Sequence, residues 1–297
     1  VKEPQVGQHK WVMSFDLNSL YPHLIMQYNM SPDTYQRKIF NQDISVAKLL
    51  EGEVDTSMLT NTTVTPNGAL FRTDKQGFLP ELLEEMYDQR VLFKNKMIEK
   101  QKELETIDKN DLVKRKECEY EIVKYNNNQM VRKISLNSCY GALGNQYFRY
   151  FNREIAEGIT TSGQLSIKWV ERAVNQFLNK LLETDKDYVV AIDTDSIYVT
   201  FEDLVERVKP KNPVDFLDTI AKEKLEPMIN SNYEELSSYM NAYQNKMEMG
   251  REVIADKGIW TAKKRYILNV HDSEGVRYNT PKLKMMGIET AKSSTPM

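Results

Sequence analysis

Apolar and polar residues recur along the chain with periods that predict both strands and helices. Residues 11–16 have the period of a strand that ends at Asp16, with large apolar side chains at alternate positions, Trp11, Met13 and Phe15. A second strand signal lies at 188–201, where two β-rich runs are joined by Asp193-Thr194-Asp195-Ser196. We interpret this segment as a hairpin with carboxylates at its turn.

The helical period of 3.6 residues runs from 80 to about 107 and again from about 112 to 139, with a break at Asn110-Asp111. These two segments predict a long antiparallel helical hairpin. A further helix is predicted at about 160–183, and we expect its buried stripe to be formed by residues spaced four apart, Leu165, Trp169, Ala173, Phe177 and Leu181.

Shorter signals complete the predicted architecture. Pro66-Asn67-Gly68 predicts a tight turn between two short strands. Residues 214–249 have a helical, acidic pattern, and strands with their connections are predicted at 259–272 and 276–286. The predicted fold class is α+β: an antiparallel sheet backed by helices, with the helical hairpin inserted into it.

Composition restricts the class of protein without revealing its function. The chain has 297 residues, and its 40 Lys and Arg against 43 Asp and Glu give a formal charge of −3. Two cysteines and three scattered histidines argue against a disulfide framework and a His-rich zinc site. No run approaches the roughly 18 apolar residues of a membrane span, and no signal peptide is recognisable at the N-terminus.

The carboxylates beside apolar runs are the first candidate chemistry. Asp16, Asp193 and Asp195 lie at predicted strand ends or turns, where desolvation is costly unless they hold a cation. Mg²⁺ takes oxygen ligands and commonly uses one or two carboxylates together with phosphates and water. Asp and Ser also favour turns for purely local reasons, so the pattern alone leaves a structural role open.

Four motifs, which occur in order, carry a resemblance to the family B DNA polymerases. Phe15-Asp16-Leu17-Asn18-Ser19-Leu20-Tyr21-Pro22 resembles their motif A, and Lys133-Ile134-Ser135-Leu136-Asn137-Ser138-Cys139-Tyr140-Gly141 resembles motif B. Asp193-Thr194-Asp195-Ser196 is similar to motif C, and Lys263-Lys264-Arg265-Tyr266 to a later Lys-Lys-Arg-Tyr element. Flanking segments, Gly141-Ala142-Leu143-Gly144-Asn145 and Lys292-Ser293-Ser294-Thr295-Pro296, look like those of T-even-like bacteriophage polymerases.

The resemblance implies a DNA-directed DNA polymerase that extends a primer by two-metal phosphoryl transfer. Asp16 and Asp195 would be the main ligands of two Mg²⁺ ions, for which Mn²⁺ can substitute. Leu17 would add its backbone carbonyl as a ligand. Asp193 is a weaker candidate ligand, which would orient the site more than bind the metal. In motif A, Ser19, Leu20 and Tyr21 would contact the incoming nucleotide, and the Tyr21 ring would exclude a 2′-hydroxyl. From the residues alone, a tyrosine packed beside Pro22 is an equal alternative.

The helical hairpin would bind the triphosphate of the incoming deoxynucleotide. Arg90 and Lys94 are one turn apart on the first helix, as are Lys133 and Asn137 on the second. Lys133 would also supply a proton to the leaving pyrophosphate. Each of these cations, taken alone, is more typical of a solvated helix face than of a binding site. The resemblance also implies contacts with DNA: Tyr140 and Gly141 would face the nascent base pair, and the primer strand would be bound by Lys263, Lys264, Arg265 and Tyr266.

The resemblance also implies an organisation into palm, at 1–77 and 142–297, and fingers, at 78–141. No segment resembles the family's exonuclease or thumb. We therefore expect separate chains or missing segments to supply them, and a sliding clamp to bind through the missing part. Primer-template DNA and deoxynucleoside triphosphates are the expected substrates, in the host cell cytoplasm, without secretion or membrane association. The alternative function is a catalytically silent nucleic-acid-binding or scaffold subunit of a split replicative polymerase.

Overall fold

The computed structural model describes residues 2–17, 19–39 and 44–289. Asn18 of the first motif and the segment 292–296 lie outside the described residues. The α+β prediction is confirmed, because the strands form two antiparallel sheets and most of the other described residues are helical. None of the helices in these ranges is long and apolar enough to cross a membrane.

The strands and helices have the following bounds. The strands are β1 Gly7–Leu17, β2 Tyr35–Lys38, β3 Thr62–Val64, β4 Ala69–Arg72, β5 Val189–Asp193, β6 Ser196–Thr200, β7 Met249–Ala262, β8 Arg265–Ser273 and β9 Val276–Met286. The helices are α1 Leu20–Gln27, α2 Val46–Leu50, α3 Phe78–Thr106, α4 Leu112–Leu143, α5 Arg153–Leu182, α6 Glu202–Val208, α7 Pro213–Ile220 and α8 Glu226–Tyr239, with a π-helical turn, Ala221–Leu225, between the last two.

The chain divides into two compact units. The first, which we call the sheet unit, comprises Val1–Asn18, Ser166–Glu235 and Glu248–Met297. The second, the hairpin unit, comprises Ser19–Leu165 and Leu236–Met247. The division into palm and fingers at the boundaries given above stays a prediction.

The sheet unit is built on a six-stranded antiparallel sheet in the order β5-β6-β1-β7-β8-β9. Met13 and Phe15 are fully buried, as expected for the apolar positions of β1, but Val12 and Ser14 are buried too. Both faces of β1 are therefore covered. An apolar cluster brings together side chains from five strands, Val12, Val190, Ala191, Tyr198, Val253, Ala255, Trp260, Tyr266, Leu268 and Val270.

The hairpin unit contains the predicted antiparallel pair of helices, α3 and α4. Near the tip, Lys100 on α3 forms an ion pair with Glu121 on α4 at 2.8 Å. Nearer the base, Arg132 on α4 donates from Nε to Oε1 of Gln89 on α3 at 3.1 Å, so the two chains run in opposite directions. A small sheet in the order β2-β4-β3 completes this unit, and Gly68 closes its predicted turn with φ of 82°.

Three sequence predictions about elements are wrong in detail. The buried stripe of α5 agrees with the prediction at Leu165 and Ala173 but is shifted by one residue toward the end of the helix, where Leu181 is 47% exposed and Leu178 is buried. Helix α8 ends at Tyr239, ten residues before the predicted helical segment does. Strand β7 begins at Met249 and so occupies a region with no predicted strand.

Candidate functional site

Asp16 lies at the end of an interior strand of the sheet unit. In the register of β1, Asp16 is opposite Ser196 of β6 on one side and Gly250 of β7 on the other. Asp16 is half-buried, whereas the neighbouring Phe15 and Leu17 are buried. The buried side chains of Phe15 and Leu17 fix the end of the strand, and the carboxylate of Asp16 lies between them in the sequence at that end.

The turn between β5 and β6 brings the other two aspartates to the same end of the sheet. Thr194 and Asp195 form the turn itself, and Thr194 has φ of 57°. The amide of Leu17 donates to the carbonyl of Asp195 at 3.0 Å, and the amide of Asp195 donates to the carbonyl of Asp193 at 2.7 Å. The first of these bonds ties the end of β1 to the turn, so Asp16 and Asp195 are brought together from distant parts of the sequence.

The basic motif occupies the turn between β7 and β8 in the same unit. Lys264, in a left-handed conformation with φ of 59°, places its Nζ 3.7 Å from Oδ1 of Asp193. Lys263 forms an ion pair with Glu3, and Arg265 is exposed. The turn therefore carries positive charge to the end of the sheet where the aspartates lie.

Tyr266 differs from the other members of the basic motif because it is buried in the apolar cluster. Its hydroxyl shares a 2.7 Å hydrogen bond with that of Tyr198, and its ring stacks on Trp260 with 5.7 Å between centroids. This side chain anchors the strand that follows the basic turn.

A polar network next to Asp16 was not predicted from the sequence. The register of β1 on β7 shifts between Ser14 and Phe15, which makes Glu252 the extra residue of a β-bulge. Glu252 accepts hydrogen bonds from the Ser14 hydroxyl at 3.1 Å and from Nζ of Lys284 at 2.7 Å. Burial alone would lower the pKa of Lys284, but the charge and hydrogen bond of Glu252, with smaller effects of Tyr266 and Asp16, raise it.

The oxygen donors at this end of the sheet suit a hard divalent cation. Asp16 and Asp195 supply carboxylates, and peptide carbonyls lie beside them. No group of three or more His, Cys, Asp or Glu arranged to hold a metal occurs within residues 2–17, 19–39 and 44–289. That finding is compatible with Mg²⁺, which commonly takes one or two protein carboxylates and completes its shell with water and phosphate oxygens.

The predicted nucleotide-binding residues of motif A lie at the start of α1, in the hairpin unit. Ser19 precedes the helix in a left-handed conformation, with φ of 59°, and its side chain makes no capping hydrogen bond within the described part of the chain. Leu20 is buried, and the Tyr21 ring lies against the Tyr140 ring with 4.6 Å between centroids. Motifs A and B thus meet through their two tyrosines.

Arg90 is the predicted hairpin cation that approaches motif A. It is only 6% exposed, and its guanidinium donates to the Ser19 hydroxyl. Lys94 follows one turn later on α3 and is half-buried. On α4, Lys133, Asn137 and Gly141 follow one another at intervals of one helical turn, and all three are exposed.

A buried histidine near these residues was also missed by the sequence analysis. His23 is 6% exposed, and its Nδ1 lies 2.9 Å from the carbonyl oxygen of Ser19. Burial, with the nearby charges of Lys246 and Arg90, lowers its pKa to about 4 even though its hydrogen bond to Ser19 opposes the shift. Its position directly after Tyr21-Pro22 is the only sequence signal that could have drawn attention to it.

Comparison with known proteins places these features in one family. The family model described as DNA polymerase family B matches residues 1–294. DNA-directed DNA polymerases of Escherichia phage RB69 and Enterobacteria phage T4 are 37% and 36% identical over the whole chain, which spans 38% of their length. DNA polymerase 1 of Pyrococcus abyssi is 29% identical over 93% of the chain, which spans 28% of that protein. The chain belongs to DNA polymerase family B.

Proposed function

We propose that this chain is the catalytic core of a DNA-directed DNA polymerase that extends a primer with deoxynucleoside triphosphates. The observation that carries the proposal is the backbone hydrogen bond from the amide of Leu17 to the carbonyl of Asp195, which joins the end of β1 to the β5–β6 turn and so places the residues Asp16 and Asp195 at the same end of the sheet. In a chain of DNA polymerase family B, Asp16 and Asp195 are therefore our candidates for the residues that catalyse primer extension.

Asp16 and Asp195 would bind two divalent cations, Mg²⁺ or Mn²⁺, with the carbonyl of Leu17 as a further ligand. Bound there, such ions activate the primer 3′-hydroxyl and stabilise the charge that develops on the phosphates. The role of Asp193 is to orient the turn, which its carbonyl does by accepting a hydrogen bond from the Asp195 amide. Lys264 balances part of the negative charge of Asp193.

The hairpin unit would bind the nucleotide. Arg90, Lys94 and Lys133 are cations that suit a triphosphate, and a planar guanidinium can bind two phosphate oxygens at once. Asn137 adds a neutral hydrogen-bonding group, and the Lys133 ammonium would donate a proton to the departing pyrophosphate. Ser19 and the backbone of Leu20 and Tyr21 would contact the phosphates and sugar at the start of α1.

Recognition of the DNA would fall to two further groups. Tyr140 and Gly141 would face the nascent base pair, where a missing side chain at Gly141 leaves room for the bases. Lys263, Lys264 and Arg265 would hold the primer strand through its phosphates, with Tyr266 anchoring the turn beneath them. We further propose that the palm and fingers division holds and that the polymerase acts in a phage-infected cell.

Primer extension with Mg²⁺ tests the proposal. We expect Asp195→Ala to abolish extension, because removing one carboxylate removes a ligand of both ions. Asp185→Ala is the matched control, since Asp185 is an exposed aspartate of the same unit, and it should extend primers like the wild type. A wild-type protein that binds primer-template but never extends it would instead favour the scaffold function.

A further inference from the structure

His23 lies one helical turn after Ser19 and makes two hydrogen bonds to the carbonyl oxygen of that residue. Its backbone amide donates to the Ser19 oxygen at 3.1 Å, and its ring Nδ1 lies 2.9 Å from the same oxygen. A carbonyl oxygen can only accept, so Nδ1 must carry the imidazole proton in the neutral ring. The buried ring is neutral near pH 7, because its pKa is lowered to about 4.

The same ring also contacts the helix that carries Arg90. His23 and Tyr87 of α3 meet edge to face, with 4.3 Å between centroids and 88° between planes. Tyr87 is three residues before Arg90 and therefore on the same side of α3. His23 thus connects the turn before α1 with the base of the helical hairpin.

Ser19 needs such support because its conformation is unfavourable for a residue with a side chain. Its φ of 59° lies in the left-handed region, and its hydroxyl accepts from Arg90 instead of capping α1. If Arg90 turns toward a phosphate, the bond to the hydroxyl is released. The two hydrogen bonds to the carbonyl of Ser19 then remain, and both come from His23, one from its backbone amide and one from its ring.

We propose that His23 is a positioning residue for the nucleoside triphosphate: it holds the Ser19-Leu20-Tyr21 turn in place while Arg90 exchanges the Ser19 hydroxyl for a phosphate oxygen. The proposal rests on the proposed function, since it assumes that this turn and Arg90 bind the nucleotide. His23 itself does not touch the substrate in this scheme and acts through Ser19 and Tyr87.

Three variants separate the hydrogen bond from the packing. His23→Phe keeps a ring against Tyr87 but removes the donor, whereas His23→Asn places an amide nitrogen near the position of Nδ1 without the ring. His9→Phe is the matched control, because His9 also contacts a backbone carbonyl, that of Gln5 at 2.7 Å, and an aromatic ring, that of Trp260, but lies in the sheet unit.

The readout is steady-state primer extension together with the thermal midpoint of each variant. We expect His23→Phe to raise the KM for deoxynucleotide about five-fold with kcat within about two-fold, the size of one lost hydrogen bond. His23→Asn should restore KM to within about two-fold of the wild type, and His9→Phe should leave it unchanged. Equal KM values for His23→Phe and wild type, or equal defects in His23→Phe and His23→Asn, would overturn the proposal.

A measurement on the wild-type chain does not depend on whether a variant folds. The sequence has only three histidines, so ¹⁵N-histidine labelling gives three resolvable imidazoles. Adding deoxynucleotide to the complex with primer-template and Mg²⁺ should shift the Nδ1–H signal of His23 and leave that of His9 in place. A His23 signal that does not respond to nucleotide would contradict the proposal. Failure of the proposed function looks different, because the wild type would then not extend primers at all.

Discussion

Three residues in the sequence motifs adopt a left-handed backbone although none of them is glycine. Ser19, Thr194 and Lys264 have φ of 59°, 57° and 59°, and Thr194 is β-branched, which makes its conformation the most strained. Each such residue costs on the order of 1–3 kcal/mol and persists only where its surroundings enforce it. Here they lie in the turns that carry Tyr21, Asp195 and the basic motif, so the strain coincides with the groups to which chemistry is assigned.

Replacing Tyr21 tests the sugar specificity of the proposed polymerase. The ring lies against that of Tyr140 and close to Gly163, where a Cβ would be 3.7 Å from Cε1 of Tyr21. We expect Tyr21→Ala to raise ribonucleotide incorporation by at least about ten-fold, because a tight pocket discriminates one added group by about 10–200-fold. The measurement is the ratio of kcat/KM for deoxynucleotide and ribonucleotide in primer extension.

Tyr35→Ala is the control for this variant. Tyr35 also packs against an aromatic ring of the hairpin unit, that of Phe71, but belongs to the small sheet. It should leave the ratio unchanged. An unchanged ratio in Tyr21→Ala as well would contradict the assignment of Tyr21 as the steric gate.

Most of the candidate site residues were identified from short contiguous motifs, and Arg90 and Lys94 were identified from their place on the predicted helical hairpin. Asp16 with Tyr21, Lys133 with Asn137, and the two aspartates of the β5–β6 turn are each within a few residues of one another. Glu252 and Lys284 gain their positions from a bulge and from pairing across strands, which no local pattern encodes. His23 was missed for a related reason, because its contact with Tyr87 joins two separate helices.

At the scale of elements, a buried ion-pair network fastens α7 to the sheet. Arg251 of β7 is bound to Asp272 of β8 at 2.5 Å and to Asp218 of α7 at 2.7 Å. The side chains of Arg251 and Asp272 are each only 3% exposed. Arg277 binds Asp272 as well, at 3.1 Å, but its own side chain is 39% exposed.

Comparing Arg251→Met with Arg277→Met tests how burial sets the strength of this network. We expect Arg251→Met to lower the free energy of unfolding by about 3–5 kcal/mol, because it removes the buried cation that neutralises the buried carboxylate of Asp272. Arg277→Met should cost less than about 1 kcal/mol, because the cation that it removes is exposed to solvent and Asp272 keeps its bond to Arg251. Urea denaturation measures both, and equal losses would show that burial does not distinguish the two arginines.

Long amphipathic helices were the elements best predicted from the pattern, and strands with irregular register were the worst. The helices α3 and α4 begin within a few residues of their predicted starts because each has many turns of consistent period. β7 was missed over 249–258, where the bulge at Glu252 and buried polar residues such as Arg251 disturb the alternation of a strand. The stripe of α5 was displaced because apolar residues occur at adjacent positions, for example Ala173 and Val174.

At the scale of the whole molecule, the net charge of −3 conceals a separation of charge along the sequence. Residues 251–297 contain nine basic and five acidic residues, whereas 202–248 contain six and ten. The basic turn that holds Lys264 belongs to the first of these segments. A nearly neutral total is therefore compatible with a local surface that attracts a polyanion.

The salt dependence of DNA binding tests that conclusion. Lys264→Ala should reduce the slope of log K against log salt concentration by about 0.9, the contribution of one phosphate contact. Lys211→Ala, an exposed lysine of the acidic segment, should leave the slope unchanged. Fluorescence anisotropy with a labelled primer-template between low and moderate salt gives both slopes. Identical slopes for Lys264→Ala and wild type would remove Lys264 from the DNA-binding surface.

The place of β1 in the sheet has a consequence for folding during synthesis on the ribosome. Its two neighbours, β6 and β7, are encoded nearly two hundred residues or more after it, at Ser196–Thr200 and Met249–Ala262. At ribosomal rates of about 5–20 residues per second, the apolar strand that ends at Asp16 waits on the order of ten to fifty seconds for both partners. During that time it resembles an aggregation-prone edge, and a chaperone that shields nascent apolar strands would raise the yield of active protein.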